Sequence, residues 1–330
     1  MMRPVMAKAK TKRRMRKWHA AAFVAGAIVG TATTLGAAEP KTKVIFNGKA
    51  SPVFFNDGDS FRVTGGTYNG AKARLAGFNT LESHGPVHQW GTWTTKELFT
   101  MAKMATLHGR RGAWTCDSEG KTDTYGRMLT WCPDLATELV RLGFAHAMSV
   151  DDQPAKPELI AAQQEAIAAK RGLWAHGVPD YVLTSLHSVE EDIDGTGTYN
   201  RLVSTKDGHS VKWRHTNRYT ECETVCHMVY EVDEAKLAEF IAALEQDKTA
   251  NGFVGSLGDA ELEEFAREYM AHRHVNRSVK PEDREKLAEH LERNYVKQGA
   301  FGNPKKREDS CMVHVVFERR YGEGRAECLK

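Results

Sequence analysis

Residues 73–82 read Ala73-Arg74-Leu75-Ala76-Gly77-Phe78-Asn79-Thr80-Leu81-Glu82, and their reading decides the fold. The stretch begins as an alternating strand, in which every second side chain shares a face. Arg74 and Ala76 therefore lie on one side and Leu75 on the other. Gly77 lets the chain bend, and an amide, a hydroxyl and a carboxylate follow in Asn79, Thr80 and Glu82.

Two other segments supply what this one lacks. Asn56-Asp57-Gly58-Asp59-Ser60 adds carboxylates at a tight turn, and Asp123-Thr124-Tyr125-Gly126-Arg127 adds a second arginine. Hydrolysing a phosphodiester needs an activated water, neutralised phosphoryl oxygens and a stabilised leaving alkoxide. Glu82 suits the first task as a general base. Arg74 and Arg127 suit the second, because a guanidinium forks onto two oxygens and stays charged. The same pair would stabilise charge in the transition state. Taken singly, Arg74 reads as a surface residue, Glu82 as a solvated acid and Arg127 as a hairpin ion-pair partner. Their coincidence with the Asp-Gly-Asp turn favours catalysis.

The three segments, in this order, resemble the staphylococcal-nuclease (thermonuclease) family, which carries a DGDT-type turn, an R-L-x-G-x-D-T-P-E segment and a D-x-Y-G-R segment. The resemblance covers about residues 45–176, including the two helices after Arg127 and the closing Arg171-Gly172-Leu173-Trp174. It implies an OB-type five-stranded β-barrel with helices, and calcium as cofactor. By the same match Asp59 is the first calcium ligand, beside the Asn79 side chain and the Thr80 backbone carbonyl, while Tyr125 packs by the phosphate of a bound nucleotide. Asp57 is assigned to the turn. Calcium takes hard oxygen ligands and acts as a Lewis acid. The sequence departs from the family pattern twice. Asn79 stands where the family has a second metal carboxylate, which implies weaker calcium binding. Leu81 replaces a proline, which removes some stiffness from the loop that aims Glu82.

The surrounding text suits that barrel. From about Lys43 to Gly77 it reads as a β-meander, with an Asp-Gly turn after Val53-Phe54-Phe55 and a hairpin at Tyr68-Asn69-Gly70. Thr94 or Thr95 caps a helix through Leu98, Met101, Ala102 and Ala105. Two strands follow, Gly112 to Cys116 and Gly126 to Trp131, then helices near 135–142 and 157–171, the second with Pro157 at its start. Small barrels of this type bind nucleic acid across one face and its loops.

A chain of 330 residues exceeds one small barrel and suggests further domains. The expected division is a signal peptide or membrane anchor at 1–38, a nuclease-like domain at 43–177, a linker at 178–198 and a C-terminal mixed α/β domain at 199–330. The formal net charge is +3, but eight of the 46 Lys and Arg fall in residues 1–38, and the remainder holds fewer bases than its 43 acids. Any nucleic-acid binding must therefore come from a local patch. After the basic run, Trp18 to Gly30 forms an apolar stretch that ends in small residues at Ala38, the pattern of an export signal. Uncleaved, Trp18–Ala38 is about long enough to span a bilayer. Either way the body is expected outside the cytoplasm, secreted, periplasmic or anchored.

Six cysteines suit an oxidising compartment. A hairpin turning at Asp123-Thr124-Tyr125 would face Cys116 with Cys132 and join them. Cys222, Cys226, Cys311 and Cys328 allow three pairings, and the rival reading is a zinc site on Cys222, Cys226 and His227. Beyond residue 178 no family resemblance remains. Glu190 to Gly197 resembles a calcium loop but has Arg201 where an EF-hand closes with Glu. A hairpin turns at Asp207-Gly208. Three helical stripes follow, Leu237, Phe240, Ile241 and Leu244, then Leu262, Phe265, Ala266 and Tyr269, then Leu287, Leu291 and Tyr295. Val313 to Phe317 reads as a closing strand, and His272 and His274 as solvent histidines.

Two functions fit this sequence. The first is an exported, calcium-dependent nuclease acting on DNA and RNA, favouring single strands and leaving 3′-phosphates as the family does. The second is a nuclease-like barrel that has become a nucleic-acid or protein binding module. Asn79 favours the second; Arg74, Glu82 and Arg127 favour the first.

Overall fold

Asn47-Gly48 sets the path of the N-terminal lobe. The computed structural model describes residues 42–191, 198–320 and 324–330. Within it, both residues of that turn have positive φ, 46° and 74°, the geometry of a two-residue hairpin. They divide the run that starts at Lys43 into β1 (Lys43–Phe46) and β2 (Lys49–Asp57), paired with Phe46 opposite Lys49. Next come β3 (Ser60–Val63), β4 (Lys72–Leu75), β5 (Phe78–Thr80) and β6 (Val87–Gln89). After α1 (Thr95–Arg111), β7 (Ala113–Cys116) runs parallel to β1, and β8 (Met128–Thr130) runs parallel to β4. The result is one sheet in the order β7-β1-β2-β3-β4-β8.

That sheet curls until its edges meet. Asp117 and Trp131, just beyond the two edge strands, exchange backbone hydrogen bonds of 2.9 and 2.8 Å. The Cys116–Cys132 disulfide lies directly beside them. The sheet has six strands where five were expected, because the Asn47-Gly48 turn creates β1 as a separate member. Val44, Phe46, Phe55, Phe61, Leu75 and Phe78 fill its interior. α2 (Pro133–Arg141), β9 (Ala145–Ala147) and α3 (Pro157–Ala168) close one side with Leu135, Leu139, Ala147 and Leu159. Each of these Phe and Leu side chains contributes about 1.5–3 kcal/mol by leaving water. Thr94 caps α1 in a reciprocal box with Glu97, which satisfies two N–H groups at the helix start.

The stretch expected as a linker at 178–198 contains β10 (Tyr181–Ser185), whose first four residues are buried. β10 pairs with β11 (Thr198–Ser204), and β11 with β12 (Ser210–His215) across the Asp207-Gly208 turn. Beyond β13 (Thr224–Tyr230) come α4 (Glu234–Gln246), α5 (Lys248–Val254), α6 (Asp259–His272) and α7 (Arg284–Leu291). The stripes on α4, α6 and α7 meet in one core of Leu237, Phe240, Leu244, Phe265, Tyr269 and Leu287.

The closing strand is β14 (Lys306–Val313), earlier than expected. Its sequence reads polar, but Asp309 and Ser310 are buried because they serve backbone partners. Asp309 accepts the N–H groups of Asp180 and Tyr181, and Ser310 bonds both Tyr181 O and Leu183 N. β14 also pairs with β6, setting Met312 opposite His88 and Val313 opposite Val87. All described residues belong to one unit, Pro40–Lys330.

The disulfides are Cys116–Cys132, Cys222–Cys328 and Cys226–Cys311. This removes the zinc reading for Cys222, Cys226 and His227. The one group of three metal-donor side chains within 4.8 Å among the described residues is Cys226, Glu308 and Cys311, and its two sulfurs are bonded to each other. His272 and His274 are not solvent histidines. They pack edge-on against the Tyr181 ring at 4.9 and 5.0 Å, and His274 is buried. The 1–38 segment and most of the acidic loop at 190–197 lie outside the described residues. No described helix is long and apolar enough to cross a membrane.

Candidate active site

Strand alternation turns Arg74 away from the core that Ala73 and Leu75 enter. Its guanidinium donates to Asp59 Oδ1 and to Asn79 Oδ1. The second Asp59 oxygen accepts the Thr80 N–H at 3.0 Å. Asn79 Nδ2 donates to the Thr80 carbonyl at 2.8 Å. A guanidinium only donates, so the Asn79 amide can face only one way. Asp59, Asn79 and Thr80 are all buried, and β5 is held from behind by β9, with Asn79 opposite His146. Burial holds His146 neutral, its pKa down at about 4.

Glu82 follows β5 and lies within electrostatic reach of Arg74. Burial raises its pKa above the usual carboxylate range, and the charges of Asp57 and Asp59 raise it further. Arg74 and Arg320 oppose that rise. Asp57 is likewise raised, by burial first and by Asp59 second. Asp57 does serve its turn, accepting the Gly58 N–H at 2.9 Å. It also reaches the Ser83 N–H at 3.4 Å, which ties the turn to the loop after Glu82. Burial alone would lower the Arg74 pKa, but Asp59, Glu82 and Asp57 together outweigh that and raise it. Three carboxylates thus repel one another around one guanidinium in a poorly solvated pocket.

A hard divalent cation fits that excess of negative charge and oxygen donors. The Thr80 hydroxyl adds a buried oxygen with no hydrogen-bond partner. One feature fits less well. Arg74 engages the Asn79 side-chain oxygen and Asn79 Nδ2 engages the Thr80 carbonyl, so each offers a single remaining lone pair.

Arg127 and Tyr125 sit apart from this cluster, on the turn before β8. Arg127 Nε donates to Asp123 Oδ2 at 2.7 Å, and its guanidinium lies 5.4 Å from the Tyr125 ring centre. Tyr125 is 74% exposed, so its face is open to a ligand. Leu129 is the partner of Arg74 in the parallel pairing of β4 and β8. Strand spacing therefore puts the Arg127 backbone roughly 8 Å from that of Arg74.

The C-terminal lobe reaches the site twice, and no local sequence signal announces either contact. β14 holds β6, and His88 on β6 accepts the Glu82 backbone N–H at Nε2, 3.2 Å away. His88 is buried and neutral, its pKa pushed down to about 3. Farther on, the Arg320 side chain lies so close to Gly85 that a Cβ there would meet its Cδ at 2.7 Å. The tail is fixed by the Cys222–Cys328 disulfide and by Val315, Ala326 and Leu329, which pack with Val87 and Phe99.

Residues 72–176 match the family described as staphylococcal nuclease homologue. The match spans about a third of the chain, from β4 to the turn after α3, and includes Arg74, Asn79, Thr80, Glu82, Tyr125 and Arg127. It agrees with the motif resemblance and points to a nuclease-like or nucleic-acid-binding lobe. The turn bearing Asp57 and Asp59 precedes it. No curated protein matches the chain.

Proposed function

Proceeding from the match of residues 72–176 to the staphylococcal nuclease homologue family, we propose that the chain is a calcium-dependent nuclease. It hydrolyses phosphodiesters of DNA and RNA, favours single strands and leaves 3′-phosphates. The observation that carries this reading is the convergence of Asp57, Asp59 and Glu82 on Arg74. An acid held beside a guanidinium and other carboxylates is costly in a purely structural role, and it suits a site that takes a cation and a phosphate together.

Glu82 orients and deprotonates the attacking water; the His88 bond to its backbone N–H fixes where that carboxylate starts. Arg74 binds the phosphoryl oxygens and stabilises the charge that builds on them. Arg127 swings from Asp123 to share that load, and Tyr125 packs against the nucleotide. Calcium would be held by Asp59, Asn79 and the Thr80 carbonyl, and when bound supplies Lewis-acid polarisation of a phosphoryl oxygen. The three disulfides suit an oxidising compartment, which supports export.

The engaged oxygens of Asn79 and Thr80 favour a second reading, a barrel that binds nucleic acid without cutting it. Digestion of denatured and duplex DNA, with calcium and then with a chelator, decides between them. Calcium-dependent cutting that is faster on the denatured strand supports the nuclease. Retention of DNA without cutting at any calcium level supports the binding module.

A further inference from the structure

Beside the carboxylate cluster lies a second feature that the catalytic reading does not use. A cavity of about 310 Å³ opens between α1 and the turn at Ser83-His84, lined by Asn56, His84, Lys103, Thr106 and Arg110 among others. Lys103 Nζ donates to the Ser83 carbonyl at 2.6 Å, which leaves two of its protons. Arg110 donates Nε and Nη2 to the Phe55 carbonyl at 3.1 and 2.8 Å and lies over the Phe54 ring. That geometry holds the guanidinium in place without neutralising it.

Arg325, from the C-terminal tail, lies near the cavity without being one of its lining residues. Its positive charge acts on both His84 and Lys103. Its Nε is buried and has no hydrogen-bond partner. Its neighbour Ala326 is fully buried in the cluster with Val87, so the tail is seated and not dangling. Among the described residues, none of Lys103, Arg110 and Arg325 forms a salt bridge. Three like charges brought together at a half-buried cavity, offset only in part by Asp57 acting on Lys103, are costly in the absence of an anion. A buried donor without a partner adds to that cost.

We propose that this cavity binds a backbone phosphate of the strand being cut, flanking the scissile one, and that Arg325 is the C-terminal lobe's contribution to substrate binding. The proposal rests on the nuclease reading for the identity of the strand, but not for the existence of the site. Its position supports the assignment. His84 is two residues beyond Glu82, at most about 7 Å of extended chain, so a strand lying across Arg74 and Glu82 runs on toward Lys103.

The test uses the full chain and a fluorescent single-stranded 12-mer of DNA, with binding read by anisotropy against salt, in chelator so that no cutting occurs. Arg325→Gln is expected to weaken binding about tenfold and to reduce the slope of log affinity against log salt by about 0.7, one phosphate contact on a single strand. Lys103→Gln is expected to do the same, and Arg325→Lys to recover the slope. In calcium, Arg325→Gln is expected to raise KM on the 12-mer and to leave cleavage of a dinucleotide unchanged. Wild-type affinity and slope in both Gln variants would overturn the proposal. So would loss of thermal stabilisation by inorganic phosphate in Arg325→Gln with unchanged 12-mer binding, which would assign the cavity to free phosphate. If the wild type binds but never cuts, the nuclease reading fails while the salt slopes still judge the site.

Discussion

Glu82 and His88 are joined by a hydrogen bond from the Glu82 backbone N–H to His88 Nε2, 3.2 Å long. Through it the acid in the N-terminal lobe is aimed by a strand that β14 of the C-terminal lobe holds in place. A misplacement of about an ångström can cost a hundredfold in rate. His88→Ala is therefore expected to lower kcat at least tenfold with little change in KM. His88→Gln, which keeps an acceptor, is expected to restore part of it. Steady-state kinetics on denatured DNA separates the two; equal kcat in wild type and His88→Ala would contradict the positioning role.

Asn79 is the residue on which the calcium reading turns. Asn79→Asp adds a carboxylate beside Asp57, Asp59 and Glu82 and removes the donor that engages the Thr80 carbonyl. The expected outcome is a calcium midpoint lowered about tenfold, equivalent to roughly 1.4 kcal/mol. In chelator the same variant should melt at lower temperature than wild type, because like charges repel. Calcium should then raise its Tm by more. An unchanged midpoint would count against Asn79 as a ligand.

Asp309 gives stability a pH dependence. Its carboxylate is completely buried. Burial alone would raise its pKa, but His227 and the backbone N–H groups of Tyr181 and Asp180 outweigh that and lower it. A folded value below the unfolded one means the contribution is complete above the ordinary value of 3.8 and is lost as pH falls through the folded value. Asp309→Asn is expected to cost about 3 kcal/mol at neutral pH and to flatten the acid limb of a denaturation series. An acid limb unchanged by the substitution would show that other carboxylates set it.

Cys222–Cys328 ties the tail across 106 residues of sequence. Replacing both cysteines by alanine is expected to destabilise the chain by about 2–4 kcal/mol and to weaken 12-mer binding, since Arg325 would lose its seat. Thermal melting with the anisotropy assay checks both effects together.

Much of the N-terminal lobe was legible because its signals are local. Alternation turns Arg74 outward, the Asp-Gly turn follows Phe55, and Cys116 faces Cys132 across a hairpin. The extra strand β1 depends on Asn47-Gly48, a local signal that a continuous meander hides. The linker and the last strand were misplaced for a different reason. β10 and β14 stabilise one another through buried Asp309 and Ser310, and polar residues on a strand carry no mark of burial until their partners are known. Arg320, Arg325 and the hold of β14 on β6 were invisible for the same cause. Each is a contact between residues far apart in sequence, with no periodicity to announce it. Asp57 reads as a turn residue, which it is; its second oxygen, directed at Ser83, emerges only once the loop has folded back.

The most direct test of the account is the rate of calcium-dependent cleavage of denatured DNA by Glu82→Gln against wild type, prepared identically. Gln keeps the size of the side chain and removes its ability to take a proton, so the account requires a loss of about 100-fold or more, as befits a general base. Equal rates in the two proteins, or a wild-type rate untouched by chelator, would contradict it.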